Sequence, residues 1–153
     1  MFSLIISIIS IALVAALAAA TVYFGGAAFN KGSAGADAST FINAGQQVAG
    51  AFTLAAADGH TIDTVAELAD GSKSDGEIYL AQIPSYKGTA LALDTDNKAY
   101  VVISDVSAQI CDEVNKRALG TNYTITTELT VKGLYGCATT AADAKGDVFY
   151  KVK

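Results

Sequence analysis

Residues 2–29 read FSLIISIISIALVAALAAATVYFGGAAF, and no charged side chain occurs before Lys31. As one continuous helix these 28 residues would extend about 42 Å, against a bilayer hydrocarbon core of about 30 Å, so the run is long enough to span. A secretory signal has a basic start and a shorter apolar stretch, and this segment has neither. Ala18, Ala19 and Ala20 mimic a cleavage site, but without the basic start cleavage there is not expected. The segment has an internal pattern. Ser3, Ser7 and Ser10 share one helix face; Ala12, Ala16 and Ala20 repeat every four residues, and Ala15 and Ala19 do the same one step away. Small residues at this spacing let helix backbones approach closely, and membrane helices associate largely through such packing. A lone anchor in lipid would gain more from leucine and phenylalanine, so the pattern favours helix–helix assembly.

From Lys31 onward the chain has ordinary soluble composition and carries all 15 acidic and 10 basic residues, a net charge of −5. Its length supports one hydrophobic core. An acidic domain repels nucleic acid, so no direct nucleic-acid binding is expected of the isolated subunit. The two cysteines are Cys111 and Cys137. In a domain exported by a membrane segment an even count suggests one disulfide, whose loop closure is worth about 3.5 kcal/mol; in a cytosolic domain the same pair would be two buried thiols.

Between Gly25 and Ala36 the composition changes to GGAAFNKGSAGA, with Gly25, Gly26, Gly32 and Gly35. Each glycine costs a helix about 1 kcal/mol relative to alanine, so a weak or melted section, or a hinge, is expected here. A second helix then starts, with Asp37 as its cap and Phe41, Ala44, Val48, Phe52 and Ala55 as its apolar stripe; Asp58-Gly59 ends it. A polar connection over 60–76 follows, with a short helical turn at Thr64–Leu68. Strands are expected at Glu77–Ile83 (Ile78, Leu80 and Gln82 on one face), Thr89–Leu93 and Ala99–Ile103, with a hairpin turn at Asp94-Thr95-Asp96-Asn97. Val106–Leu119 reads as a helix, Thr124–Val131 as a loose strand and Asp147–Val152 as the closing strand.

The chemical signals are sparse. His60 follows a helix end and reads as a loop or cap residue, with no serine and acid partners in its surroundings. Asp94, Asp96 and Asn97 resemble the start of a calcium loop. However, Lys98 stands where an oxygen ligand is needed and no glutamate follows at the right distance. Cys111 and Cys137 are too far apart for a CxxC redox pair, and zinc would need more ligands than one histidine adds. Asn122-Tyr123-Thr124 matches a glycosylation acceptor, a triplet that recurs by chance. Neither an enzyme nor a cofactor is expected.

In combination, these features resemble the type IV pilins, in particular the type IVb branch of the bundle-forming and toxin-coregulated pilins. Ser3-Leu4-Ile5, followed by small and apolar residues, is similar to the family's helix start. Met1 fits the non-phenylalanine first residue of mature type IVb subunits. Cys111 and Cys137 fall where the family places its C-terminal disulfide loop, and Val148-Phe149-Tyr150-Lys151 resembles the last strand of the bundle-forming pilin. The family's glutamate just inside the apolar start is replaced by Ile5 or Ile6, and its helix-breaking proline is absent, the only proline being Pro84.

The expected fold is α+β. A long N-terminal hydrophobic helix, broken by the glycine-rich stretch, leads into an amphipathic helix packed on a small antiparallel sheet, with a disulfide-tied C-terminal region. The expected division is 1–29 membrane or filament-core helix, 30–36 hinge and 37–153 globular head. The resemblance implies a structural subunit that waits in the inner membrane and is polymerised by a pilus assembly machinery. The product is an extracellular homopolymer serving adhesion, motility or uptake of DNA or phage. Ser3, Ser7, Ser10, Ala12, Ala16 and Ala20 are the expected core contacts. Two other roles fit the sequence: a minor pilin or pseudopilin of an assembly or secretion system, and a single-span anchored periplasmic binding protein.

Overall fold

The computed structural model describes residues 2–95, 98–120, 133–139 and 145–153. The chain divides into two compact units, Met1–Ala34 and Gly35–Lys153. Helix α1, Phe2–Ala57, supplies all described residues of the first unit and the opening element of the second. The expected break over Gly25–Ala36 is absent, and Asp37 is an interior helical residue rather than a cap. A glycine weakens a helix without removing a hydrogen-bond donor. With no proline in the stretch and alanines between the glycines, the backbone ladder continues.

The second unit begins with the part of α1 whose stripe was legible. Ala38, Phe41, Ala44, Val48, Ala51, Phe52 and Ala55 are all buried, recurring at the three- and four-residue spacing of one helix face. The helix stops where Asp58-Gly59 was expected to stop it. Gly59 takes a left-handed φ of +87°, and His60 N–H reaches back to the Ala55 carbonyl at 2.9 Å. Helix α2, Val65–Asp70, follows with a complete capping box: the Glu67 N–H donates to Thr64 Oγ1 at 3.3 Å, and Thr64 N–H donates to Glu67 Oε2 at 3.2 Å.

Glu77–Ile83 is not a strand. The N–H groups of Tyr79 and Leu80 both go to the Leu68 carbonyl at 3.0 Å, so this backbone closes the end of α2 instead of joining a ladder. The expected shared face is lost with it: Leu80 is buried and Ile78 is exposed. Thr89–Leu93 is divided. Strands β1 (Ser85–Tyr86) and β2 (Thr89–Ala90) form a hairpin whose turn residues Lys87 and Gly88 both have positive φ, and β3 (Ala92–Leu93) belongs to the main sheet.

That sheet has the antiparallel order β3-β4-β6-β5. Strand β4, Tyr100–Ser107, pairs with β3 through Leu93↔Val101 and with β6, Lys145–Lys151, through Val101↔Tyr150 and Ile103↔Val148. The register then slips, so that Ser104 and Asp105 oppose Asp147 alone and Asp105 takes a φ of +67°. Beyond this bulge Val106 and Ser107 pair with Gly146 and Lys145. The ladder therefore claims two residues from the helix expected at Val106, and α3 spans Ala108–Leu119. Strand β5, Tyr135–Thr139, was not anticipated; it pairs with β6 through Cys137↔Val148. Strands β3 and β4, on either side of the hairpin turn expected at Asp94–Asn97, pair antiparallel. Asp96, Asn97, the glycosylation triplet at Asn122 and the strand expected over Thr124–Val131 lie outside the described residues.

Side chains 146, 148 and 150 of β6 share one face of the sheet. Gly146 there meets Cys111 of α3, and Tyr150 meets Gly45 of α1. Both helices therefore cover the same face, with Val101, Ile103, Val114 and Val148 fully or almost fully buried. A Cβ on Gly45 would overlap Cβ and Cγ of Tyr150, atoms too near the backbone to swing aside. Tyr150 is further held by a parallel stack on Tyr135, with ring centroids 5.8 Å apart.

Gly45→Ala is expected to destabilise the head. Alanine adds about 1 kcal/mol of helix propensity, but overpacking against a fixed ring costs about 1–3 kcal/mol. Chemical denaturation of the purified chain in detergent would show a lower midpoint for Gly45→Ala and none for the exposed Gly50→Ala.

Candidate functional site

In the first unit, every large apolar side chain is exposed. The values run from 52% for Ile5 to 84% for Phe2, with Ile8, Ile11, Leu17, Phe24 and Phe29 between them. Full burial of such a side chain is worth about 1.5–3 kcal/mol, so a surface of this kind does not persist against water. The helix is long and apolar enough to cross a membrane.

The six expected contact residues are exposed on this helix. At about 100° per residue Ser3, Ser7 and Ser10 fall within about 60°, and Ala12, Ala16 and Ala20 centre on nearly the opposite side. The small residues thus form two faces, and the faces are offset along the axis by about nine residues, or about 14 Å. The hydroxyls of Ser7 and Ser10 are satisfied within the helix. Ser7 Oγ donates to the Ser3 carbonyl and Ser10 Oγ to the Ile6 carbonyl, each at 2.9 Å. A hydroxyl on an apolar helix with no other partner takes this backbone acceptor, so Ser7 and Ser10 present small surface rather than free donors.

The C-terminal region of the head is organised around Cys111–Cys137, which are disulfide-bonded with Cα atoms 5.2 Å apart. The bond joins α3 to β5. Beside it, Asn115 is almost fully buried. Its Nδ2 donates to the Cys137 carbonyl at 2.9 Å, and its Oδ1 accepts from the Cys137 N–H at 2.8 Å. The amide thus takes the place of a neighbouring strand on the outer edge of β5. Gly146 makes room for both sulfurs: a Cβ there would lie 2.6 Å from Cys111 Sγ and 3.0 Å from Cys137 Sγ. The cysteines were legible from count and placement. Asn115, Gly146 and Gly45 gave no signal, since nothing in the spacing says which helix residue will face which strand.

At the other end of the head, the helix stop carries a polar group. The Tyr79 hydroxyl lies 3.0 Å from Asp58 Oδ2 and 2.8 Å from Glu77 Oε2, and its single proton serves one carboxylate at a time. His60 Nε2 is 3.7 Å from the same Glu77 oxygen, consistent with a loop residue on the helix stop. Burial, and then the hydrogen bonds to Glu77 and Asp58, push the Tyr79 hydroxyl well above its usual range. Nearby is an open cleft of ≈ 510 Å³ between Phe52, Ile62 and Val152. Lys153 crosses it, donating to the Ile62 carbonyl at 2.6 Å with its ammonium 4.8 Å above the Phe52 ring. The β1–β2 hairpin is tied to α1 by Lys87, whose Nζ is 3.5 Å from Asp37.

Two tests follow from this geometry. Asn115→Ala leaves a buried N–H and carbonyl of Cys137 without partners and should cost about 2 kcal/mol in denaturant unfolding with the disulfide intact. For Tyr79, the hydroxyl's pKa is raised on folding. Its contribution to stability is therefore full below about pH 10, the ordinary tyrosine value, and is lost as pH rises through the folded-state value. The stability gap between the native chain and Tyr79→Phe should accordingly shrink between about pH 8 and about pH 11, as measured by chemical denaturation.

The chain matches no protein-family model, and no curated protein or solved structure is significantly similar to it.

Proposed function

We propose that the chain is a structural subunit of the pilin type, which polymerises through its N-terminal helix into an extracellular filament of the type IV pilus kind. The observation that carries this reading is an apolar helix with every large side chain exposed, leading directly into a head with its own core and disulfide. Such a helix is stored in the inner membrane. It leaves lipid only for an environment equally free of water, and a bundle of copies supplies one. The paired small-residue faces support assembly beyond a dimer. Two faces on opposite sides of one helix, offset along the axis, let each copy meet a neighbour on either side in a staggered, head-to-tail contact that does not close on itself. The customary N-terminal carboxylate is replaced by Ile5 or Ile6, so close packing takes over the setting of register. On this reading the filament serves adhesion, motility or uptake of DNA or phage, and an assembly machinery extracts the subunit.

A second reading, a single-span anchored head that remains monomeric in the membrane, is favoured by the internal bonding of Ser7 and Ser10. Such serines need no neighbour.

The two readings part on one experiment. Electron microscopy of sheared surface material, with mass spectrometry of its main band, should show filaments built of this chain. Replacing Ala12 and Ala16 together with leucine or phenylalanine should abolish them while the chain still fractionates with membranes, since both residues insert well. Normal filaments from the double variant would remove the packing mechanism and leave the anchored monomer.

A further inference from the structure

Where α1 enters the head, one carbonyl has an unusual set of donors. Gly35 C=O is the helical acceptor for the Ser39 N–H. It also accepts from Ser39 Oγ at 2.9 Å and from Arg117 Nη2 at 2.9 Å. The second arm of the same guanidinium, Nη1, donates to Ser39 Oγ. Arg117 stands in the last turn of α3, so the two helices are joined here by a two-pronged, charge-assisted contact to one carbonyl and one hydroxyl of α1. The contact falls at a change in how the helix is supported. Gly25, Gly26 and Gly32 are exposed, whereas burial begins at Ala34, immediately before the contact, and continues at Ala38 and Phe41. The Gly35 carbonyl oxygen and Ser39 Oγ lie 2.9 Å apart, and the planar guanidinium gives each its own N–H in a fixed geometry that a freely rotating ammonium lacks.

We propose that Arg117 is a clasp on the first head-bound turn of α1, which stops unwinding that arrives from the N-terminal side of Gly35 before it reaches the core. A helix loses its order from an end or a break inward, one hydrogen bond at a time, and it halts where the next turn is held by something other than its own backbone. Here that turn is Gly35 to Ser39. Its amides with most to lose are Ser39 and Thr40, whose helical acceptors are the Gly35 and Ala36 carbonyls. A glycine at 35 is compatible with this role but not required by it: a Cβ would sit 3.5 Å from Nη2, an ordinary contact. The clasp holds whether the chain assembles into filaments or stays a single-span anchor, because it lies wholly within the head.

The test is amide hydrogen exchange on the full chain in detergent micelles, with unwinding introduced at a distance by Gly32→Pro. Gly32→Pro alone should leave exchange at Ser39 and Thr40 within about twofold of the native chain, while Gly32→Pro with Arg117→Ala should raise it at least about tenfold. Exchange at Val48 to Phe52 should be unchanged in both. Arg117→Lys, which keeps the charge but not the fork, should fall between, and it replaces Arg117→Ala if that variant folds poorly. Fast exchange at Ser39 and Thr40 in Gly32→Pro alone would overturn the proposal. So would a double variant that exchanges no faster than Arg117→Ala alone, or an equal rise at Val48 to Phe52.

Discussion

A helix satisfies its own backbone hydrogen bonds, which is why a single segment can run through hydrocarbon and on into a water-exposed domain without a junction. In α1 one unbroken ladder carries two kinds of surface. From Phe2 to Phe29 the backbone is closed and the side chains are apolar on every side, so the surface requires lipid or other helices around it. From Gly35 to Ala57 the same ladder carries a one-sided stripe, and burial of Phe41, Val48 and Phe52 turns the helix into one wall of the head. The second half is covered from within the chain, and the first half is left exposed by it.

The head is held by close approaches in which a missing side chain matters as much as one present. Gly45 lets α1 lie against Tyr150, Gly146 lets α3 bring its disulfide down onto β6, and Gly136 admits the Phe149 ring. Asn115 completes β5 by hydrogen-bonding to both backbone groups of Cys137. A strand edge with free N–H and C=O groups is a template for pairing with other chains, and an amide side chain is a compact way to close it.

Much of this was legible beforehand. The apolar run, the stripe from Phe41 to Ala55, the stop at Asp58-Gly59 and the paired cysteines all follow from local chemistry. They depend on charge, on periodicity, on a glycine that accepts positive φ, and on an even thiol count. Three expectations failed for reasons of context. The glycines at 25, 26, 32 and 35 lower helix stability by increments, and increments do not break a ladder that keeps its donors. Glu77–Ile83 has strand composition, but its N–H groups are taken by the carbonyl ending α2. The helix expected at Val106 starts two residues later because β6 pairs with Val106 and Ser107.

What the sequence determined by itself is therefore the division of the chain into an uncharged apolar helix and a charged domain with its own core. Solvation is set residue by residue: the 28 residues from Phe2 to Phe29 carry no charge and all 15 acidic and 10 basic residues lie beyond them, so water favours the second part over the first. What only the tertiary structure decided is which elements meet. Arg117 reaches Gly35 across 82 residues, Asn115 reaches Cys137 across 22, and β6 comes to lie between β4 and β5. These pairings are absent from local pattern because a guanidinium, an amide or a strand edge can be satisfied by many partners. Packing both helices on one face of the sheet leaves each of them the partner it has.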